Sequence, residues 1–223
     1  KVGGNQMLSY LFASANRSVR LPSYTDLYYK IGGAQGSQDL LPELSNNYEI
    51  GLRWIYNLKP GRKITFENSL FRRDGENLID WVKFDGEEIT RATNLREVTF
   101  DGVESSLTFL DMKTTGNINN SLQISYSAIN ASETSSGFQS NYVLDFIKRK
   151  FDIKALIVLP DFKISQSDTR FDLSIRYSIQ ERINSAKVGI LSSTLSGYFN
   201  SEKTRAFIRI DNALDAEIID IGS

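Results

Sequence analysis

Several residue types that carry common protein chemistry are missing or scarce in this chain. Its 223 residues include no cysteine, no histidine and only four prolines. Without cysteine the chain can form neither a disulfide nor a thiolate metal site. Without histidine it lacks the commonest general base and the commonest metal ligand. No nucleophile–base pair is evident either, so we expect no enzyme, no catalytic residues, no metal site and no cofactor.

Long apolar runs and a strong charge imbalance are also absent. The longest apolar run, residues 155–160, is far shorter than the roughly 18 residues that a membrane helix needs. The net charge of −1 gives no reason to expect binding to nucleic acid. The first four residues do not form a signal peptide, so an exported protein would already have lost that segment.

Aromatic residues and period-two alternation are what the chain does contain. Thirteen phenylalanines and ten tyrosines favour β structure. Apolar and polar residues alternate along many stretches, so one face of each predicted strand is apolar and the other polar. This pattern predicts about nine strands and no helix. The clearest examples are residues 48–56, 122–128, 151–159 and 171–180.

Two stretches alternate less regularly. Residues 98–109 change phase around Gly102, which predicts a β-bulge there. Residues 74–94 read as a long loop that follows the strand over residues 63–73. The carboxylates of this loop could bind a cation through oxygen ligands, but they lack calcium-loop spacing. Turns at the Asp-Gly pairs that begin at Asp74 and Asp85 are therefore favoured.

The predicted connections alternate between long and short along the chain. Long connections are expected at residues 16–44, 74–94 and 130–150, and short ones at residues 57–62, 111–117 and 200–203. Long loops at one rim and short turns at the other are typical of bacterial outer-membrane barrels, in which about 9–11 residues of each strand cross the bilayer. A soluble antiparallel sheet with one buried face shows the same alternation, so alternation alone leaves both possibilities open.

The polar faces carry charged residues that would face the lumen of such a barrel. We expect these residues to pair with one another across neighbouring strands. They are Glu49, Arg53, Glu67, Arg73, Asp172, Arg176 and Arg209.

Residues 11–54 contain the most specific motifs in the chain. Residues 20–23 read Arg-Leu-Pro-Ser, residues 26–28 read Asp-Leu-Tyr, and residues 40–51 read Leu-Leu-Pro-Glu-Leu-Ser-Asn-Asn-Tyr-Glu-Ile-Gly. This succession resembles a strand, extracellular loop and strand of the TonB-dependent outer-membrane receptors. Similar pieces follow in the family's order and spacing at residues 68–83, 96–107, 121–126 and 209–220.

The resemblance implies that residues 1–223 are one partial domain, from the C-terminal portion of a 22-stranded transmembrane β-barrel. The family's N-terminal plug, its energy-coupling box and its last strand are not recognisable in this sequence. The usual Phe-Arg-Ala-Pro of the first motif is also replaced by Val-Arg-Leu-Pro at residues 19–22. We therefore expect the chain to be a piece of a longer receptor.

The resemblance also implies a function, in the outer membrane of a Gram-negative cell. Such a receptor binds a scarce, bulky nutrient and imports it with energy from the TonB complex, which acts through the plug. Outer-membrane lipid and a surface lipoprotein are further implied partners. Loop and strand spacing favours the cobalamin-receptor branch over ferric siderophores. Haem is disfavoured because its axial ligation usually needs histidine.

Within this resemblance, one loop is the best candidate for contact with the nutrient. The substrate-contact candidates are Arg20, Tyr24, Asp26, Tyr28, Tyr29 and Trp81. The loop-shaping motif consists of Pro22, Pro42 and Glu43. The alternative is that Arg20 and Asp26 also serve only to fold the loop over the rim.

Two other functions remain open from the sequence. One is a passive outer-membrane channel or porin that has no plug. The other is a soluble β-sandwich that binds carbohydrate through Trp54, Trp81 and the tyrosines.

Overall fold

A computed structural model describes most of the chain as β-strands. The described residues are 6–59, 61–112, 119–132, 138–141, 143–159, 162–164, 167–183, 186–199 and 203–217. The one described helix is α1 (Tyr24–Tyr28). The strands are β1 (Gln6–Arg20), β2 (Lys30–Ile31), β3 (Ala34–Gln35), β4 (Glu43–Lys59), β5 (Arg62–Phe84), β6 (Thr90–Met112), β7 (Asn119–Ala131), β8 (Phe138–Ser140), β9 (Ile147–Val158), β10 (Phe162–Ile164), β11 (Ser167–Arg182), β12 (Val188–Phe199) and β13 (Thr204–Ile210).

Nine of these strands form one antiparallel meander. Their order is β1-β4-β5-β6-β7-β9-β11-β12-β13, which confirms the expected nine strands. The described residues form one continuous sheet and not two packed sheets, so the β-sandwich alternative is wrong. We call the end of the sheet near Arg20 the loop rim and the opposite end the turn rim. Of the expected short turns, residues 60, 113–118 and 200–202 lie outside the described part.

Strand register gives the sheet an apolar outer face and a polar inner face. One cross-strand row contains only apolar residues, and the adjacent row is mostly polar. The outer row is Trp54, Phe66, Leu107, Ile124, Ile153, Tyr177 and Leu191. The inner row is Arg53, Glu67, Ser106, Ser125, Asp152, Ser178 and Ile190. This arrangement confirms the alternation that the sequence predicts.

The outer face is exposed although it is apolar. Ile50 is 58% exposed, Leu70 is 54% exposed and Trp54 is 45% exposed. Water would not stabilise so large an apolar surface, whereas the lipid-facing side of a membrane barrel has this character. Asn68 and Ser105 interrupt the apolar face, but Asn68 Nδ2 donates a hydrogen bond to Ser105 Oγ at 2.5 Å. This bond satisfies two polar groups that lipid could not.

The hairpin of β5 and β6 corrects two sequence-based predictions. Each strand has 23 residues, so the expected long loop at residues 74–94 is wrong. The chain turns only at residues 85–89, where Gly86 has a φ of 85°, while Gly75 lies inside β5. The bulge at Gly102 is also wrong, because the pairing register runs through it without a shift. Gly102 instead makes room for Phe71, whose Cζ would lie 2.1 Å from an added Cβ.

The far ends of β5 and β6 form a second, smaller unit beyond the loop rim. The pairing of β4 with β5 ends at Glu76, and β8 pairs with β5 beyond that point. On the other side, β3 pairs with β6 and β2 pairs with β3. We call this set, in the order β2-β3-β6-β5-β8, the rim sheet. Its buried core consists of Leu78, Val82, Leu95, Val98 and Leu144.

Candidate substrate-contact site at the loop rim

Three of the predicted contact residues lie on α1: Tyr24, Asp26 and Tyr28. The sequence had not predicted this helix. Ser23 caps the helix: Asp26 N donates to Ser23 Oγ at 3.2 Å, and Ser23 N donates to Asp26 Oδ2 at 2.9 Å. This reciprocal arrangement is a capping box. Serine followed three residues later by an acidic residue was the signal that could have identified the helix. The expectation of an entirely helix-free chain was therefore wrong at this point.

Arg20 joins this helix to the barrel through two carboxylates. Its Nη2 lies 3.0 Å from Asp26 Oδ2, and its Nη1 lies 2.6 Å from Glu43 Oε1. Asp26 and Glu43 are only 5% and 7% exposed, whereas the Arg20 side chain is 51% exposed. We call these three residues the clamp. It ties the end of β1 to α1 and to the start of β4.

Strand β5 completes the surroundings of the clamp. Trp81 Nε1 donates to Asp26 Oδ1 at 3.2 Å, and Ile79 N donates to Glu43 Oε1 at 2.7 Å. Each buried carboxylate therefore has a neutral donor in addition to the guanidinium. Charge-assisted hydrogen bonds of this kind are stronger than those between neutral groups.

The same contacts set the ionisation of Asp26. Burial raises the pKa of this carboxyl, but hydrogen bonds from Ser23 and Trp81 and the charge of Arg20 lower it by more. The pKa of Asp26 consequently lies below its ordinary value, and this carboxylate is charged at neutral pH.

The rest of the loop is held by its own backbone. Gly36 N donates to Tyr29 O at 2.7 Å, and Ser37 N donates to Asp26 O at 2.9 Å. A Cβ at Gly36 would lie 2.7 Å from Asp26 O, so only glycine permits this approach. Pro22 and Pro42 lie at the two ends of the loop. The contacts of Arg20, Asp26 and Glu43 are those that the loop-folding alternative requires, and direct contact with a nutrient stays a prediction.

The tyrosines of this site are more exposed than its carboxylates. Tyr24 is 80% exposed and Tyr28 is 47% exposed, and their ring centroids lie 4.9 Å apart. Tyr29 packs edge-on against Trp81 at 6.0 Å and is 41% exposed. The structure thus groups all six predicted contact residues around α1. The Asp26 carboxylate is buried, and the Arg20 side chain is half exposed.

Asp80 is a structural residue that the sequence reading did not single out. It is completely buried and accepts hydrogen bonds from Ser140 Oγ, from Trp81 N at 2.7 Å and from Val143 N at 3.3 Å. Leu144 N in turn donates to Ser140 Oγ at 2.8 Å. Asp80 therefore fixes Ser140 and Val143 against β5. An acidic residue inside the apolar stretch at residues 78–82 was the available signal, since a buried carboxylate needs partners.

Charged residues of the inner face pair only in part as expected. Arg53 Nε lies 2.6 Å from Glu67 Oε1 across β4 and β5, which confirms the prediction for that pair. Arg176 pairs across strands with Asp152 at 2.7 Å.

The other predicted lumen charges behave differently. Asp172 pairs with Arg170 on its own strand. Arg209 pairs with Asp211, which directly follows its strand. Arg73 Nε donates to Ser45 Oγ at 3.2 Å.

Two carboxylates on the inner face have no such partner. Among the residues that the structure describes, Glu49 and Glu104 form neither a hydrogen bond nor an ion pair. They lie on β4 and β6, with only β5 between them. Glu104 borders a cavity of about 420 Å³ whose other lining includes Ser106, Ser125 and Ser127. The inner wall therefore offers hydroxyl groups and unpaired negative charge to whatever fills the barrel.

The comparison with family models decides which barrel this is. Residues 5–206 match the model described as TonB dependent receptor-like, beta-barrel. The chain belongs to this family. The match confirms the resemblance read from the motifs and, together with the single antiparallel sheet, the all-β barrel fold. Searches of the curated proteins and of the solved structures returned no significant match.

Membership in the TonB-dependent receptor-like family gives the chain a general role. This family consists of outer-membrane transport receptors and not of enzymes. The matched description names no nutrient, so the cobalamin-receptor branch gains no support from it. No described helix is long and apolar enough to cross a membrane. Within the described ranges, no three acidic residues are grouped closely enough to hold a metal ion, including those of β5.

Proposed function

We propose that this chain is part of an outer-membrane receptor that captures a scarce, bulky nutrient and imports it with energy from the TonB complex. The TonB complex acts through a plug domain inside the barrel. The receptor meets the nutrient at the loop rim, where the rim sheet and α1 stand above the membrane. A surface lipoprotein that delivers the nutrient is a further proposed partner.

The contrast between the two faces of the sheet is the observation that carries this proposal. Seven consecutive strands contribute apolar residues to one outer row, none of them buried, while the adjacent inner row is largely serine and charged residues. A closed barrel satisfies its backbone hydrogen bonds and presents such an outer face to lipid. The polar inner face then suits a wet path for a solute.

The unpaired carboxylates support a plug over an empty channel. Glu49 and Glu104 lie on the inner face, and no cationic partner for them occurs among the residues that the structure describes. Basic groups on a plug would supply the missing charge. Glu67, which already pairs with Arg53, offers a matched residue on the same wall.

Growth of the native host tests the import function. Strains that lack the full-length receptor or TonB are compared in media limited for iron, for cobalamin or for an oligosaccharide. We expect both strains to fail in the same medium. A receptor-deficient strain that grows normally wherever the TonB-deficient strain fails would contradict the proposal.

Electrical conductance separates the receptor from a passive porin. The full-length receptor, inserted in a planar bilayer, should conduct almost no steady current because its plug closes it. Combined Glu49→Gln and Glu104→Gln substitutions should lower the urea concentration at which a steady current begins, whereas Glu67→Gln should not. A wild-type receptor that is continuously open would identify a porin instead.

A further inference from the structure

A second cavity lies under the clamp, on the inner side of the loop rim. Its volume is about 560 Å³, within the range of 300–1,000 Å³ typical of small-molecule sites. Arg20 and Glu43 of the clamp form part of its lining. Half of the other lining residues are apolar and form one wall: Phe71, Leu78, Ile79, Phe100, Ile129, Val143 and Phe146.

The apolar wall is built on packed structure. The rings of Phe100 and Phe146 meet edge to face, with centroids 5.6 Å apart. Phe100 and Val143 also pack against the core of the rim sheet. The ring of Phe71 lies against Gly102. A cavity whose walls are already fixed can bind without first ordering its side chains, which favours affinity.

The charged groups around this cavity are largely compensated. Arg20 is held between Asp26 and Glu43, and Arg73 donates to Ser45. The lining also contains Arg72, which pairs with Asp74 at 3.2 Å, and Glu49. The three guanidinium groups near the cavity thus face four carboxylates. An anionic ligand would therefore find no excess of positive charge to offset its loss of water.

We propose that this cavity binds an uncharged, flat apolar group, such as an aromatic ring, carried by the nutrient. The inference rests on the proposed function, because it names the chemistry of the ligand at the same rim. It assigns ligand contact to Phe100, Ile129 and Phe146, which lie outside the loop singled out from the sequence.

Two small probes that share one ring test this proposal. Benzyl alcohol is neutral and benzoate is anionic, and saturation-transfer NMR detects weak binding of either to the full-length receptor in nanodiscs of deuterated lipid. We expect benzyl alcohol to bind at least about tenfold more tightly than benzoate, which corresponds to about 1.4 kcal/mol. Phe146→Ala and Ile129→Trp should each weaken benzyl alcohol binding about tenfold, by removing one wall or by filling the space.

A matched variant separates the cavity from the lipid-facing surface. Ile124→Trp places the same new ring on the outer face of the same strand, so benzyl alcohol binding should stay unchanged. Equal binding of the two probes would overturn the proposal. Equal binding of benzyl alcohol to the wild type and to Ile129→Trp would also overturn it. This second result would also follow if the plug fills the cavity. Neither result bears on TonB-dependent growth, which tests the import function separately.

Discussion

The clamp gives the sharpest prediction about the loop rim. Arg20→Ala leaves Asp26 and Glu43 without their shared cation, and both are nearly buried. Removing one partner of a fully buried ion pair costs about 3–5 kcal/mol. Arg20 itself is half exposed, and both carboxylates keep neutral donors, so we expect a smaller local cost of about 1–3 kcal/mol.

Hydrogen exchange of the full-length receptor measures this cost where it arises. The amides of Ser37 and Ile79, which bond to Asp26 and Glu43, should exchange about 5- to 150-fold faster in Arg20→Ala. In Arg20→Lys these amides should exchange at rates between those of the wild type and of Arg20→Ala. An ammonium group cannot hold two carboxylates in the fixed fork of a guanidinium. Exchange within β11, far from the clamp, should not change.

A matched variant shows what an ordinary surface pair contributes. Arg176 is 50% exposed and pairs with Asp152 on the inner face, so Arg176→Ala should cost no more than about 1 kcal/mol. Unchanged exchange at Ser37 and Ile79 in Arg20→Ala would refute the view that the clamp holds the loop. Faster exchange throughout the barrel would refute the local character of its effect.

Three further predictions concern the loop rim, the rim sheet and the adjoining barrel wall. Because the pKa of Asp26 is lowered in the closed loop, the contribution of this carboxylate is complete above its ordinary pKa of about 3.9. The protection factor of the Ser37 amide, which corrects for the intrinsic exchange rate at each pH, should fall only as pH falls below that value. Asp80→Ala should release residues 138–146, seen as new protease cleavage there, whereas Asp85→Ala at the hairpin tip should produce none. Gly102→Val should displace the ring of Phe71 and lower the thermal midpoint of the receptor by several degrees, by overpacking of about 1–3 kcal/mol; an unchanged midpoint would contradict the close packing.

The sequence predicted the barrel part of the fold well because the barrel has two different solvents on its two faces. Along residues 121–128 of β7, for example, each residue meets either the outer or the inner environment, and its polarity follows that position. The alternation of long and short connections indicates which end of each strand lies at the loop rim. The motifs at residues 20–51 then identify the family, as the family match confirms.

The rim sheet could not be predicted in this way. Beyond Glu76, β5 leaves β4 and pairs with β8, a segment about 60 residues later in the chain. Residues 78–82 are nearly all buried, so they do not alternate and resemble no barrel strand. Asp74 and Gly75 also suggested a turn, although both lie within β5. Asn77, in the same strand, adopts a φ of 54° without breaking the register. Local signals were overruled there by contacts between distant segments.

The candidate site was found only in outline. The residues of the motif do lie together at the loop rim, and their contact with a nutrient stays a prediction. The motif did not show that Arg20, Asp26 and Glu43 bind one another. Such a network depends on where β1, α1 and β4 come together, and spacing along the chain does not fix that. The cavity beneath it was invisible for the same reason, since its phenylalanines come from three different parts of the chain.

The apolar face of this sheet is expected to meet lipid, and the polar face to meet water. Spin labels on single cysteines along β7 of the full-length receptor in nanodiscs test it most directly, since this chain has no cysteine of its own. Labels at Leu122, Ile124 and Tyr126 should be reached by oxygen, and labels at Gln123 and Ser125 by a water-soluble nickel complex. Accessibility without this alternation, or with nickel reaching every position, would contradict the account.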